Sequence, residues 1–421
     1  MCNYNFIPMK RFSFEIACLS RKNHSPAPGH RHPAIVEAVT SALASGLPNI
    51  AVTERQIALA ETVQRHVPSM ERLRFLPTGT EAVQAAIRVA RRATGRHLIA
   101  KFEGAYHGQA DNVMLSVAVP ADECGPLDAP RPVPYHCAIP AELAALTLVL
   151  PYNDLARTTA LIEAHAADLA IVLIEPMLGF AGAIPAEREF LHGLRALTAK
   201  HGILLAFDEV ITGFRLGLGG GQGLYGVTPD LTILGKAIGG GLPLAAFGGR
   251  ADVMEWLSQT PHPHDHVFQS GTYSALPLSL AAGLATLEAL ERDGGAAHIV
   301  ALGEAVREGL RGIVAKHGIP AVVTGAGSLF HLHFTSEPVR CARSAEAADH
   351  ARLRRLHEAL LAHGQYFYAG RLGFLATAHT RADVDALLAA IEDLLRERVL
   401  EEVDGAGGLR YAFTHPLLQE V

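Results

Sequence analysis

The feature that most narrows the fold is a pair of short apolar runs that each stop on a carboxylate. Ala170-Ile171-Val172-Leu173-Ile174 leads into Glu175-Pro176, and Ile203-Leu204-Leu205-Ala206-Phe207 leads into Asp208-Glu209. Neither run alternates apolar with polar residues, so each is predicted to be a strand covered on both faces, the situation inside a parallel α/β sheet. An acid at the end of such a strand lies where open α/β sheets bind their ligands. Other short apolar segments, Leu73–Leu76 and His97–Phe102 among them, alternate with helical patterns, the order that builds a parallel sheet between helices. Ahead of them, amphipathic helices are predicted at about Pro33–Ala44, with Gly46 near the stop, and at Glu54–Arg65. After about Leu290 the rhythm shifts. Helices at about Ala301–His317, Asp349–His363 and Arg381–Val399 flank short strands at Ser328–His333 and Phe374–Ala376. The expected organisation is therefore an N-terminal segment with one helix over residues 1–50, a large α/β unit over 51–290 and a smaller C-terminal α+β unit over 291–421.

Composition removes several classes of function. Lys plus Arg number 36 against 42 for Asp plus Glu, a formal charge of −6, which gives no global footprint for nucleic acid or an anionic membrane. Charged residues make up 19% and hydrophobic ones 49%, a globular balance that argues against extended disorder. No apolar stretch reaches the roughly 18 residues of a membrane span. The run Phe12–Leu19 contains Glu15 and lacks a small-residue cleavage site, so a signal peptide is not expected. The five cysteines, Cys2, Cys18, Cys124, Cys137 and Cys341, are scattered and form no C-x-x-C, which fits free thiols in a reducing cytoplasm.

Three segments carry chemistry. Thr78-Gly79-Thr80-Glu81-Ala82 falls between the strand at Leu73–Leu76 and a helix starting near Glu81. Gly79 permits close backbone approach, Thr80 offers a hydroxyl, and the helix N-terminus offers N–H groups, a set suited to a phosphate monoester. An ordinary helix start with Thr80 as cap reads equally well from this stretch. Asp208 could hold a protonated heterocyclic nitrogen, or instead ligate a metal or cap a loop. Lys236 follows the apolar strand Leu231–Leu234 and precedes Ala237-Ile238-Gly239-Gly240-Gly241, with no charge since Asp230. A desolvated amine there is a nucleophile for Schiff-base chemistry, whereas a surface lysine would need a more polar setting. A phosphate cradle, an acid for a pyridinium nitrogen and an amine for an aldehyde together describe a site for pyridoxal 5′-phosphate. Tyr106, beside His107, could stack on its ring while Val210 packs on the other face.

These residues bring the chain close to a known family. It resembles the class-III aminotransferases of fold type I, from Gly29-His30-Arg31-His32-Pro33 to about Leu395. Agreement is densest at TGTEA (78–82), FEGAYHG (102–108), FDEVITGFR (207–215) and PDLTILGKAIGGGLP (229–243), and the nearest look is to glutamate-1-semialdehyde 2,1-aminomutase and bacterial β-amino-acid aminotransferases. The resemblance implies that Lys236 forms the Schiff base, Asp208 pairs the pyridine nitrogen, Gly79 and Thr80 hold the phosphate, Tyr106 stacks on the ring and Glu175 lines the site. It further implies a homodimer in which Thr272, in Gln269-Ser270-Gly271-Thr272, reaches the partner's phosphate. The N-terminal segment is expected to be short, since the match starts at Gly29.

Rival motifs fail on context. Gly221-Gln222-Gly223-Leu224-Tyr225-Gly226 spells G-x-G-x-x-G but follows a glycine-rich loop and runs into Val227-Thr228-Pro229, so no dinucleotide site is expected. Asp230 stands where a P-loop before Gly235-Lys236 needs glycine. Pro261-His262-Pro263-His264-Asp265-His266 could bind a metal, but histidines alternating with prolines fit a solvated loop, and no metal is expected. Three departures from the aminomutases bear on the reaction. Arg371 stands in the segment before Ala378-His379-Thr380, where they carry a Glu; it offers a fork for a carboxylate, or is a surface charge. Phe180 stands where they carry an Asn, and the Gly/Ser-rich segment expected between Met114 and Pro151 is replaced by a proline-containing one. All three favour transfer between an amino acid, β- or ω-amino among the options, and a keto acid.

Overall fold

The computed structural model describes residues 27–44, 46, 51–258 and 264–396. Cys2, Cys18, the Phe12–Leu19 run and residues 261–263 lie outside them. The two apolar runs are strands buried along their whole length, as their lack of alternation requires. In chain order the strands are β1 (Arg72–Leu76), β2 (Leu98–Phe102), β3 (Thr147–Leu150), β4 (Leu169–Ile174), the hairpin β5 (Met177–Leu178) and β6 (Ile184–Pro185), then β7 (Leu204–Glu209), β8 (Leu231–Leu234) and β9 (Ala245–Gly249). Seven of them form one sheet in the order β1-β9-β8-β7-β4-β2-β3. The pairings β3–β2–β4–β7–β8 are parallel, and β9 runs against both β8 and β1. The carboxyl ends of β1, β2, β4, β7 and β8 therefore share one edge.

Helices cover both faces. The helix Gly79–Thr94 buries Ala82, Val83, Ala86, Ile87 and Ala90 on one side, its small side chains allowing close approach to the sheet. On the other, Arg188–Lys200 buries Phe190, Leu191 and Leu194 against Phe102, Val172 and Leu205. Truncating a residue as enclosed as Leu173 would cost about 2–5 kcal/mol, the range for buried leucines. A further core lies in the later part of the chain, where the helices Gly295–His317, His350–Ala362 and Arg381–Arg396 pack with the sheet β10 (Val322–Thr324), β11 (Leu329–His333) and β12 (Gly373–Phe374).

Contacts bind this part over the strand ends of the large sheet. Arg215, buried, donates to the Leu375 carbonyl at 3.3 Å and lies over the Phe374 ring. Ala27 and Pro28 accept from Thr377, through its N–H at 2.9 Å and its hydroxyl at 3.1 Å. The glycine-rich loop ahead of the G-x-G-x-x-G string has a structural job. Residues 217–223 fold around Glu209, whose oxygens accept from Thr212, from the Gly221 and Gln222 N–H groups and from the Gln222 side chain. A Cβ on Gly220 would stand 2.3 Å from a Glu209 oxygen, which explains the glycine. The G-x-G-x-x-G string also begins inside a short helix, Gly220–Tyr225, where a loop was expected, and has no preceding strand.

Candidate active site

Asp208 stands near the end of β7, buried. Its Oδ1 accepts from the Val210 N–H at 3.1 Å and its Oδ2 lies 2.7 Å from His107 Nδ1. His107 is buried, and burial lowers its pKa against the opposing pull of Asp208, so the ring is neutral at pH 7. A neutral ring facing a carboxylate through Nδ1 carries its proton there, leaving Nε2, which has no partner among the described residues, as an acceptor. The sequence placed His107 with the cofactor residues; the structure sets it behind Asp208 as its partner.

Lys236 leaves β8 through a 3₁₀ turn, Lys236–Gly239, with φ +42. A non-glycine residue in that region stores strain, which the surrounding packing must hold. Its side chain is partly exposed while residues 231–235 and 237–240 are buried, and among the described residues its amine makes no hydrogen bond. Burial lowers its pKa, the charges of Asp208 and Glu175 raise it, and Arg215 pushes it down again. Glu175, directly after β4, is buried and pushed up to about 8, first by burial and second by the charge of Asp208. Two backbone donors counter that rise: Tyr106 N–H at 2.8 Å on one oxygen and Gly179 N–H at 3.0 Å on the other.

The turn at residues 78–80 corrects one expectation. The helix begins at Gly79, two residues early, and its cap is Thr78, whose hydroxyl accepts from Glu81 N–H at 3.2 Å. Thr80 is thus free of capping duty; its oxygen accepts from Gln109 N–H at 3.2 Å. The N–H groups of Gly79 and Thr80 remain available for an anion. Val210 packs between two glycine turns: a Cβ on Gly79 or on Gly235 would meet its methyls at 3.1 and 3.2 Å.

Tyr106 stacks on Phe180, centroids 5.6 Å apart and planes 20° from parallel, and the Arg371 guanidinium lies over the Phe180 ring at 4.0 Å. Both predicted substrate residues therefore belong to one stack. The Arg371 N–H donates to the Tyr368 carbonyl at 2.9 Å, while its guanidinium makes no hydrogen bond or ion pair among the described residues. Phe180 and Arg371 also line a cavity of about 510 Å³ with Tyr135, His331, Arg343 and Arg354, a space that Asp208 and Lys236 do not border. Thr272 is not brought into this chain's site; it is exposed, beside exposed Phe268 and Tyr273. Among the described residues no cluster could hold a metal ion, and Cys124, Cys137 and Cys341 are free. None of the described helices is long and apolar enough to cross a membrane.

Several residues that build the site escaped the sequence reading. Lys101 is fully buried within β2. Glu103 and Arg343 form a two-pronged bridge at 2.7 and 2.8 Å between the loop before Tyr106 and the helix Ala342–Glu346. His331 and His333 stand edge to face behind Gly182, where a Cβ would come within 2.5 Å of the His333 ring. Lys101 had a visible signal, a charge inside an apolar strand; the Glu103–Arg343 pair joins residues 240 apart and left none.

Known proteins with this arrangement fall together. The profile of the family described as aminotransferase class-III matches residues 22–367. A glutamate-1-semialdehyde 2,1-aminomutase of Pyrobaculum calidifontis is 40% identical over 381 residues, covering 90% of this chain and 83% of that one. The crystal structure of an ω-transaminase from Sphaerobacter thermophilus aligns with TM-score 0.83 at 39% identity, over 89% of this chain and 85% of its own. A β-phenylalanine aminotransferase from Variovorax paradoxus gives 0.79 at 36%, over 88% and 80%. With the parallel strand ends, the glycine turns, the desolvated lysine and the buried acids already in place, the chain belongs to the class-III aminotransferase family.

Proposed function

We propose that this enzyme transfers an amino group between an amino acid, with a β- or ω-amino acid as donor, and a keto acid, using pyridoxal 5′-phosphate. The observation that carries the cofactor assignment is the convergence, at one sheet edge, of an unpaired desolvated amine (Lys236), a buried carboxylate (Asp208) and a helix start with free N–H groups (Gly79, Thr80). These residues fit the group: a nucleophile for the aldehyde, an anion for the ring nitrogen and donors for the phosphate. When bound, the cofactor supplies the carbonyl that receives the amino group and the ring that stores the electron pair. Asp208 holds a proton on the ring nitrogen, and His107 holds Asp208 in place by donating from Nδ1. The Lys236 Nζ, its proton affinity lowered by burial, takes the proton from the substrate carbon and returns it. Tyr106 and Val210 bound the ring on its two faces. Glu175 orients Tyr106 through its N–H, and Thr272 serves the partner's site in a homodimer.

Arg371 favours transfer over isomerisation. One face of its guanidinium is spent on Phe180, and its edge donors remain for a carboxylate. The second reading, an aminomutase, draws on the 40% identical Pyrobaculum protein. Incubating the holoenzyme with candidate amino donors and following the absorbance change of the cofactor to its amine form tests the first reading. Glutamate 1-semialdehyde supplied alone, with formation of 5-aminolevulinate, would establish the second.

A further inference from the structure

Lys101 sits in β2, the strand next to the β3 edge of the large sheet, with no solvent exposure, paired in register with Val149 of β3 and Leu173 of β4. A charge so enclosed is costly to keep without partners. Among the described residues no carboxylate accepts from it. Its Nζ donates to two backbone carbonyls, Ala105 at 2.8 Å and Leu115 at shorter range. Ala105 is the residue before Tyr106. Leu115 precedes Ser116, whose carbonyl accepts from Gly104 N–H at 2.8 Å. The lysine therefore ties together, from beneath, the two segments that close the turn at residues 103–108. From above, Glu175 holds Tyr106 N–H and Arg343 holds Glu103.

We propose that Lys101 is a positioning residue of the cofactor site: by clamping the Ala105 and Leu115 carbonyls it fixes the backbone that carries the Tyr106 ring and aims the His107 imidazole at Asp208. The inference rests on the assignment of Lys236 and Asp208 to the cofactor. Burial pushes the Lys101 amine down to about 7, with the charges of Glu175 and Glu103 opposing. Both its protonated and neutral forms keep at least two N–H donors, so the clamp persists on either side of neutrality. Methionine offers similar bulk and no donor; glutamine offers two N–H donors on a shorter stem.

The test uses the full chain, with and without pyridoxal 5′-phosphate. In cofactor-free protein, hydrogen exchange over residues 103–108 should quicken at least tenfold in Lys101→Met and stay within threefold of wild type in Lys101→Gln. Cofactor Kd, read by absorbance titration, should weaken at least tenfold in the first and under threefold in the second. Wild-type exchange and Kd in Lys101→Met would overturn the proposal. So would glutamine behaving like methionine, or both variants failing to fold, since Lys101 would then serve the core and not the loop. If methionine alone fails to fold, a folded glutamine variant with near-wild-type exchange and Kd supports the donor role. Lys236→Ala separates the premise: it should abolish covalent attachment of the cofactor to the chain after borohydride reduction while leaving exchange over 103–108 unchanged. Covalent attachment that survives would sink the assignment of Lys236 without touching the exchange result.

Discussion

Gly108→Ala probes the phosphate cradle by geometry alone. Gly108 has φ +90, and a Cβ there would stand 2.5 Å from Thr80 Oγ1 and 2.8 Å from Thr80 Cα. The hydroxyl can rotate away; the Cα belongs to the first turn of the helix Gly79–Thr94 and cannot. Reaching ordinary carbon–carbon contact of about 3.5 Å requires a shift of about 0.7 Å between the turn and the helix start. Alanine at this φ adds about 1–2 kcal/mol of backbone strain, and overpacking typically adds about 1–3 kcal/mol. The shift falls on Gly79 and Thr80 themselves, and misplacement of that size in a binding constellation is large. Cofactor Kd should weaken at least tenfold, or about 1.4 kcal/mol, and the cofactor-free protein should melt several degrees lower. Gly312→Ala is the control. It lies within the helix Gly295–His317 with nothing within 4 Å of the added Cβ, so it should stabilise by about 0.5–1 kcal/mol and leave Kd unchanged. A Gly108→Ala protein that binds cofactor with wild-type Kd would refute the assignment of this turn to the phosphate.

Glu175→Gln should alter how stability depends on pH. The wild-type carboxyl is raised from 4.5 to about 8, so the folded chain keeps a proton that the unfolded chain releases; stability is full below about 4.5 and falls as pH rises to about 8, by up to about 5 kcal/mol. Chemical denaturation of both cofactor-free proteins at pH 5, 6.5 and 8 should show that slope in wild type and its reduction in the variant; parallel curves would count against it. Arg371→Ala should raise KM for the keto acid at least tenfold with a smaller change in kcat, and unchanged kinetics would remove it from the substrate site. Arg343→Met leaves the Glu103 carboxylate buried without its bidentate partner, and breaking such pairs costs about 3–5 kcal/mol; a melting temperature within a degree of wild type would show that the bridge contributes little.

The strand ends were legible because burial on both faces forces a continuous apolar run, and because Glu175 and Asp208 interrupt those runs so abruptly. Both were read as acids on the ligand side of the sheet. That they face each other follows from β4 and β7 being neighbours, a pairing that no local pattern encodes. Strand β9 was not foreseen: Ala245-Ala246-Phe247-Gly248-Gly249 is too small and glycine-rich to read as a strand, yet a Cβ on Gly248 would fall 2.4 Å from the Arg72 carbonyl, so tight pairing selects glycine there. The cap at Thr78 was missed by two positions because Thr78 and Thr80 are equally good caps, and only the backbone of Gly79 decides between them. The role of residues 217–223 was hidden for a related reason. Their glycines answer to Glu209, a partner that the chain's own fold brings under them.

The charges at the sheet edge explain why such a site is built on strand ends. Asp208 and Glu175 are both buried, and the charge of Asp208 is the second cause of the rise at Glu175. Burial lowers the Lys236 pKa against the charges of both acids, and His107 is held neutral. The polypeptide alone thus leaves negative charge in a dry place, a costly arrangement. Backbone N–H groups meet part of that cost: Val210 serves Asp208, while Tyr106 and Gly179 serve Glu175. All three donors come from loops that follow strand ends, so the electrostatics and the loop geometry are one construction. What remains uncompensated is an excess of acid beside Asp208, which selects a ligand bearing a positive charge there and a negative one at the start of the helix Gly79–Thr94. A ligand that meets both demands should raise the melting temperature more than either a bare phosphate or a bare pyridine at the same free concentration, because only the joined molecule satisfies the two ends without a second loss of translational freedom and so binds with the lower Kd.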